Sequence, residues 1–144
     1  MSAETVRDAM VPEPTTLAAT ANAQDAGRCF ADSGEVRAIF VTEDDGRLVG
    51  VVTRKTLVRE VVAAGLEPAA VSLRAIAEPP NFTLDAGLGL EGAFRFLEEQ
   101  DLERVPVVEE GGRLVGVLSR AVVQRRLAED EPPEGEAQPD SLVL

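Results

Sequence analysis

A nine-residue segment occurs twice in this chain and constrains its architecture more than any other feature. Residues 46–54 read GRLVGVVTR and residues 112–120 read GRLVGVLSR, an offset of 66 positions. Only Val52 and Thr53 change, to Leu118 and Ser119, and both changes preserve shape or chemistry. An echo at fixed spacing indicates one supersecondary unit used twice. The chain is therefore predicted to consist of two similar halves.

The surrounding sequence predicts the same order of elements in each half. In the first half, helical spacing predicts a helix from Ala23 to Asp32, capped by Asn22 and ended by a left-handed Gly34. The strands are expected at 15–17, 36–42 and 48–53, the last buried on both faces, with a turn at Asp45-Gly46 and a helix at 54–64. The second half predicts strands at 82–84, 102–109 and 114–119 and helices at 90–100 and 120–128. Short helical turns at 6–10 and 73–77 precede the two halves.

These elements predict an α/β fold of two pseudo-symmetric β-α-β-β-α repeats. A unit of about 65 residues is marginal alone. The two repeats are therefore expected to pack through their small sheets and to share one core. That core should be aliphatic, because the chain has five Phe and no Trp or Tyr. The single cysteine, Cys29, forbids an internal disulfide and is interpreted as a small core residue rather than a reactive thiol.

Charge and hydropathy exclude several classes of partner. The net charge of −12 argues against nucleic-acid binding, which needs a basic face. No apolar run approaches the roughly 18 residues of a membrane span, and the polar start lacks the features of a signal peptide. A cytoplasmic protein without membrane contact is expected. Residues 129–144 hold six acids and no base and are expected to be a disordered tail. Its last residues, SLVL, are read either as featureless or as a peptide ligand for another domain.

Residues able to carry catalysis are lacking. The chain has no histidine, which excludes Ser/His/Asp and Cys/His triads and makes a zinc site unexpected. The carboxylate pairs Glu98-Glu99 and Asp44-Asp45 fall on an expected helix face and turn. Residues 87–92 form a literal GxGxxG, but the strand before it is short and the chain is too small for a dinucleotide fold. This glycine run is interpreted as a loop and a helix start, and the protein as a non-enzyme.

The ordered motifs resemble a known family, the cystathionine β-synthase (CBS) domain. The resemblance rests on RDAM at 7–10, Thr16-Leu17, the hairpin, and GVVT at 50–53 entering a helix; the second half adds RVPVV at 104–108. It spans about residues 5–128, with one domain at 5–67, a second at 68–128, and the tail at 129–144. Two such domains resemble a Bateman module. The resemblance implies a regulatory protein that binds AMP, ADP, ATP or S-adenosylmethionine in clefts between its halves and forms disc-shaped dimers.

Two hydroxyl residues stand where this family contacts its ligand. Thr53 and Ser119 are read either as plain helix caps or as ligand contacts as well. In the family an Asp three positions later binds the ribose, but here Thr56 and Val122 hold those positions. The resemblance implies phosphate contacts from the helix starts and cleft walls from the middle strands. The implied ligand-binding residues are Thr53, Arg54, Lys55, Thr56, Ser119, Arg120, Ile39, Phe40, Val41, Val105, Pro106 and Val107.

Two functions follow as hypotheses. The first is a non-enzymatic regulatory module that binds an adenosine-containing nucleotide with weakened ribose recognition and signals to an unknown partner protein. The alternative is a ligand-free scaffold for dimerisation and docking. A homodimer is expected in both, because the helix positions Ala26, Phe30, Phe94 and Leu97 are predicted to face partly outward. Basic residues at a helix start oppose the helix dipole, which is interpreted either as an anion site or as a solvated surface.

Overall fold

The predicted pair of repeats is confirmed. The structure is a computed structural model that describes residues 4–12 and 14–129. The first repeat contains β2 (Thr16–Ala18), α2 (Ala23–Asp32), β3 (Ile39–Thr42), β4 (Leu48–Val52) and α3 (Arg54–Leu57), which continues as a π-helix over Val58–Val62. The second contains β5 (Leu84–Asp85), α5 (Leu90–Glu99), β6 (Arg104–Glu109), β7 (Arg113–Ser119) and α6 (Arg120–Glu129). Two leading helices, α1 (Val6–Ala9) and α4 (Leu73–Ile76), and a two-residue strand β1 (Val11–Pro12) lie before the repeats.

The two repeats meet at their hairpins with reciprocal bonds. The Leu48 N–H donates to the Gly112 carbonyl at 3.0 Å, and the Leu114 N–H donates to the Gly46 carbonyl at 3.0 Å. The repeat offset of 66 positions relates Leu48 to Leu114 and Gly46 to Gly112, so the pseudo-symmetry converts each bond into the other. The hairpin junction therefore lies on the pseudo-two-fold axis, as the duplicated segment requires.

Each repeat receives its leading segment from the other repeat. β1 pairs with β7, so that Val11 lies opposite Val117. The equivalent bridge in the other direction joins Glu78 to Val51 through two backbone hydrogen bonds of 2.9 Å. The leading helices follow the same exchange. Val6 and Ala9 belong to the apolar core of the second repeat, whereas Leu73 and Ile76 belong to that of the first. The prediction of one shared core was wrong, because the buried residues form a separate cluster in each repeat.

The repeated glycine, Gly50 and Gly116, is explained by this exchange. A Cβ on Gly50 would lie 2.7 Å from the Glu78 carbonyl oxygen, and one on Gly116 would lie 2.8 Å from the Val11 carbonyl oxygen. Both distances are too short for real contacts. The leading segment can cross each hairpin only where the strand has no side chain, which is why the sequence repeats glycine there.

Two equivalent ion pairs tie the leading helices to the opposite hairpins. Arg7 pairs with Glu109, and Arg74 makes two 2.7 Å hydrogen bonds to Glu43. The hydrogen bond from Arg74 lowers the pKa of the Glu43 carboxyl, and the one from Arg7 lowers the pKa of Glu109. The arginines are exposed and the glutamates are partly open to solvent, so each pair contributes little stability.

Several local predictions were wrong. Gly34 does not adopt a left-handed conformation; α2 ends at Asp32, and the N–H of its cap residue Ser33 donates to the Cys29 carbonyl at 3.2 Å. The second helix of the first repeat is not a regular α-helix to residue 64, since it widens to a π-helix at Val58. Strand β4 is not buried on both faces, because Leu48, Val49 and Val51 are half-buried. The middle strands are also shorter at their starts than expected.

Other predictions were confirmed. Asn22 caps α2 in a box with Asp25, each side chain accepting from the backbone N–H of the other at 2.9 and 3.1 Å. The glycine run at 87–92 is a turn that enters α5 with Gly89 as its cap, and the strand before it has two residues. Cys29 packs against the core of the first repeat and is a free thiol. The tail predicted for 129–144 lies, beyond Glu129, outside the described residues.

Candidate functional site

The predicted ligand site of the first repeat lies where β4 ends and α3 begins. Thr53 caps α3, and its hydroxyl accepts from the Thr56 N–H at 3.2 Å while the Thr56 hydroxyl accepts from the Thr53 N–H at 3.1 Å. The two hydroxyl oxygens are 3.0 Å apart. Thr56 is only 1% exposed. Burial and the capping box both engage this hydroxyl in the present conformation, and its contact with a ribose stays a prediction.

Arg54 is exposed, and its guanidinium is bonded to the end of α2. Its guanidinium donates to the Val36 carbonyl at 2.8 Å and to the Phe30 carbonyl at 3.2 Å. It also lies over the Phe30 ring, 4.8 Å from the centroid. Arg54 thereby satisfies carbonyls at a helix end that lacks a glycine cap. The phosphate role predicted for Arg54 conflicts with these contacts.

Lys55 is the remaining cation of the predicted set in this repeat. It is exposed and makes no ion pair with any residue of the described ranges. The leading segment of the second repeat passes nearby, because Glu78 pairs with Val51, two residues before Thr53. The Glu78 carboxylate is in turn paired with Arg59. That ion pair lessens the repulsion that Glu78 would exert on an anion beside Lys55.

The equivalent site of the second repeat is built differently. The Ser119 hydroxyl accepts from the Val122 N–H at a long 3.4 Å, and the Val122 side chain has no polar group. Arg120 bonds the Glu103 carboxylate at 2.6 Å and lies 3.5 Å from Asp101. Like Arg54, it braces the loop between helix and middle strand, which conflicts with its predicted phosphate role.

One residue that sequence reasoning missed lies beside Ser119. Arg104 is the strand partner of Ser119, is exposed, and makes no ion pair within the described part of the chain. Counting the antiparallel register outward from the Gly111-Gly112 turn would have placed Arg104 opposite Leu118, because a β-bulge between Val107 and Val108 shifts the register by one residue. In the first repeat no arginine takes this place, since Ala38 stands at the equivalent position.

The predicted strand residues lie next to the helix starts but are buried. Ile39 pairs with Val52 and so lies at the Thr53 end of the hairpin, as Val105, paired with Leu118, lies at the Ser119 end. All six predicted strand residues are buried within the single chain: Ile39, Phe40, Val41, Val105, Pro106 and Val107. Their side chains are packed inside the protein. The backbone at the starts of β3 and β6 lies next to the starts of α3 and α6.

A cleft between the repeats lies at the other end of the hairpins. It has a volume of about 420 Å³ and is lined by Pro14, Thr16, Thr42, Gly46, Leu114 and Val115. Thr42 pairs with Leu48, whereas Thr53 follows Val52 at the far end of the same strand. At about 3.3 Å per residue, the two ends are some 13 Å apart. None of the predicted ligand residues lines this cleft.

The described residues offer neither a metal cluster nor a membrane span. No group of three or more His, Cys, Asp or Glu is placed to hold a metal ion within the described ranges. Among the helices of that part of the chain, none is long and apolar enough to cross a bilayer.

The outward-facing helix positions predicted for a dimer are mostly internal. Ala26, Phe30 and Leu97 are 0%, 6% and 0% exposed and belong to the cores of their own repeats. The prediction that they face a partner was wrong, because the stripe chosen on each helix faces inward. Phe94 is half-buried and remains partly open to solvent.

Comparison with known proteins decides the family. The CBS domain model matches residues 6–63 and again residues 73–129. The chain belongs to the CBS domain family. The two matches make it a tandem CBS pair, a regulatory module, as the duplicated segment and the hairpin junction already indicated.

Similar CBS proteins cover nearly the whole chain. Hypoxic response protein 1 of Mycobacterium tuberculosis (strain H37Rv) is 31% identical over 131 residues, which is 87% of this chain and 86% of that protein. Its crystal structure, with two coordinated zinc ions, superposes with a TM-score of 0.72 and 28% identity, covering 88% of this chain and 99% of that one. CBSX2 in complex with AMP superposes with a TM-score of 0.68 and 25% identity, covering 88% and 97%.

Proposed function

We propose that this CBS pair is a non-enzymatic regulatory module that binds an adenine nucleotide weakly at the Thr53–Lys55 helix start. The observation that carries the proposal is Lys55, an exposed cation that makes no ion pair within the described chain. It lies two residues after Thr53, whose hydroxyl caps α3. The AMP complex of the similar protein CBSX2 supports the ligand class. Nucleotide binding is inferred to change the relative orientation of the two repeats, and a partner protein is inferred to detect that change.

Weak binding follows from the residues present. A carboxylate that accepts hydrogen bonds from a ribose contributes roughly 1.5–3 kcal/mol, and neither repeat has one at the family's position. At about 1.4 kcal/mol per tenfold, its absence weakens binding on the order of ten- to a hundredfold. Lys55 remains for the phosphate, so ligands with more phosphates should depend on it more.

A second candidate function is a ligand-free scaffold that uses the fold to dimerise and dock. The observation that favours it is the use of polar groups for internal bonds at both helix starts. Thr56 is buried in a capping box, and Arg54 and Arg120 brace loops. A homodimer fits both functions, because the family resemblance implies paired modules.

Calorimetric titration with adenosine, AMP and ATP separates the two functions. The regulatory module predicts weak AMP binding that Lys55→Ala weakens further, with a larger loss for ATP than for AMP. Arg104→Ala serves as the matched control, since it removes an exposed cation at the other helix start. No heat at millimolar nucleotide, or equal losses from both substitutions, would favour the scaffold or a different site.

A further inference from the structure

The end of α2 is bonded to a side chain from the helix start of the candidate site. Arg54 directly follows the capping residue Thr53. Its guanidinium donates to three carbonyls, those of Val36 at 2.8 Å, Phe30 at 3.2 Å and Ser33 at 3.5 Å. α2 itself has no basic residue in its last turn. Arg54 therefore supplies from another helix the cation that the carbonyl end of α2 lacks.

All three acceptors of Arg54 are neutral, and its side chain is exposed. A phosphate offers a guanidinium an opposite charge and two parallel hydrogen bonds, which a single carbonyl does not. Lys55, the cation proposed to bind phosphate, is the next residue along the chain. An anion beside Lys55 therefore competes with the α2 carbonyls for Arg54.

The equivalent arginine of the second repeat is bonded differently. Arg120, 66 positions after Arg54, bonds the Glu103 carboxylate at 2.6 Å and lies 3.5 Å from the Asp101 carboxylate. These acceptors already carry the charge that a phosphate would bring. A phosphate would gain little by displacing them, so Arg54 is the arginine of the two that an anion can recruit.

We infer that Arg54 is a switch. When a nucleotide binds, Arg54 exchanges the carbonyls at the end of α2 for the phosphate, and residues 33–36 are released. This inference rests on the proposed nucleotide site at Thr53–Lys55 and adds how binding there is transmitted to the rest of the repeat. The distance to be covered is short, because Val36 lies three residues before Ile39, and Ile39 lies at the Thr53 end of the hairpin.

The released segment lies at the surface. Gly34 and Glu35 are exposed, and Ser33 and Val36 are partly open to solvent. A partner protein can therefore detect the change without entering the nucleotide site. Two backbone bonds report on the segment: the Ser33 N–H donates to the Cys29 carbonyl at 3.2 Å, and the Val36 N–H donates to the Ser33 carbonyl at 3.3 Å.

Hydrogen exchange followed by mass spectrometry tests the switch on the full chain, with and without millimolar AMP or ATP. Nucleotide should speed the exchange of the amides in 33–36 about tenfold, because the segment loses its bonds to Arg54. A ligand that merely rigidified the repeat would slow this exchange instead. The amides of 100–102, which donate to α5 carbonyls at 2.9–3.2 Å, are the internal control and should not exchange faster.

A variant tests the bonds of Arg54 without any nucleotide. Arg54→Gln should speed the exchange of 33–36 about tenfold, and adding AMP should then cause no further increase. Arg37→Gln is the matched control, since Arg37 is an exposed arginine of the same loop that makes no ion pair with a described residue. Its exchange should match that of the wild type. If Arg54→Gln does not fold, Arg54→Lys replaces it, which keeps the charge but loses the planar fork.

The outcomes separate the switch from the proposed function. Exchange of 33–36 that is unchanged or slower in the nucleotide-bound wild type would overturn the switch and leave the nucleotide site standing. Exchange in Arg54→Gln that equals that of the wild type without nucleotide would also overturn the switch alone. Calorimetry that shows no binding of AMP or ATP would overturn the proposed function, and the switch with it.

Discussion

Replacing Gly50 with alanine tests the exchange of leading segments between the repeats. The new methyl group would lie 2.7 Å from the Glu78 carbonyl oxygen and 3.0 Å from both the Glu78 carbonyl carbon and the Ala77 Cβ. Two of these three atoms are backbone. The segment from the second repeat must therefore move as a whole, because no side-chain rotation relieves the contact.

The magnitude follows from what that movement disturbs. Forcing one methyl group into a packed site costs about 1–3 kcal/mol. Moving the segment also strains the two 2.9 Å backbone bonds between Val51 and Glu78, each worth about 0.5–1.5 kcal/mol. These costs overlap, so a loss of about 1–3 kcal/mol is expected. At about 4 °C per kcal/mol for a chain of this size, Tm should fall by about 4–12 °C.

Urea unfolding followed by circular dichroism measures this loss at a fixed protein concentration. Gly92→Ala is the control, because it adds the same methyl group where the nearest atom is Leu88 Cδ1 at 3.9 Å. Inside helix α5 that change should stabilise by about 0.5–1 kcal/mol. Gly50→Ala with wild-type stability would refute the reasoning, since it would mean that the leading segment of the second repeat does not cross β4.

Three further predictions concern the helix start and the ion pairs. Arg54→Ala should lower stability by about 1–2 kcal/mol through lost carbonyl and ring contacts, while the neighbouring Lys55→Ala should leave stability unchanged; urea unfolding of both decides this. Thr56→Asp should strengthen AMP binding about tenfold or more, because one carboxylate oxygen can keep the capping box, as Asp25 does in α2, while the second oxygen extends beyond it towards the ribose; calorimetry that shows equal affinity would contradict it. Arg74 lowers the folded-state pKa of Glu43, so their pair stabilises above the unfolded value of about 4.3 and the contribution is lost as pH falls through the folded pKa. Glu43→Gln should thus cost stability at pH 7 but not at pH 3, and an equal cost at both would contradict it.

The duplicated segment predicted the fold because it fixes two identical hairpins. The cap at Asn22 and the turn at Gly46 were equally readable, since each depends on neighbours in sequence. The pairing of each leading segment with the hairpin of the other repeat could not be predicted from the sequence, because it depends on which hairpin the segment crosses in space. The division of the chain at residues 67 and 68 stays a prediction, since each core takes its leading helix from the other repeat.

The candidate site was harder to predict than the fold. Thr53 and Lys55 could be placed at a helix start from the sequence. The engagement of Arg54 with the α2 carbonyls could not, because it joins residues 18 or more positions apart and compensates for a helix end without a glycine cap. The inward direction of Phe30 and Leu97 also depended on helix packing that periodicity alone left ambiguous.

A crystal structure determined with millimolar AMP tests the central claim most directly. The account predicts nucleotide density at the start of α3, with the phosphate beside Lys55 and the ribose beside Thr53. Lys55→Ala crystals grown in the same way should lose that density. Nucleotide bound instead in the cleft near Thr16 and Thr42, or no nucleotide at all, would contradict the account.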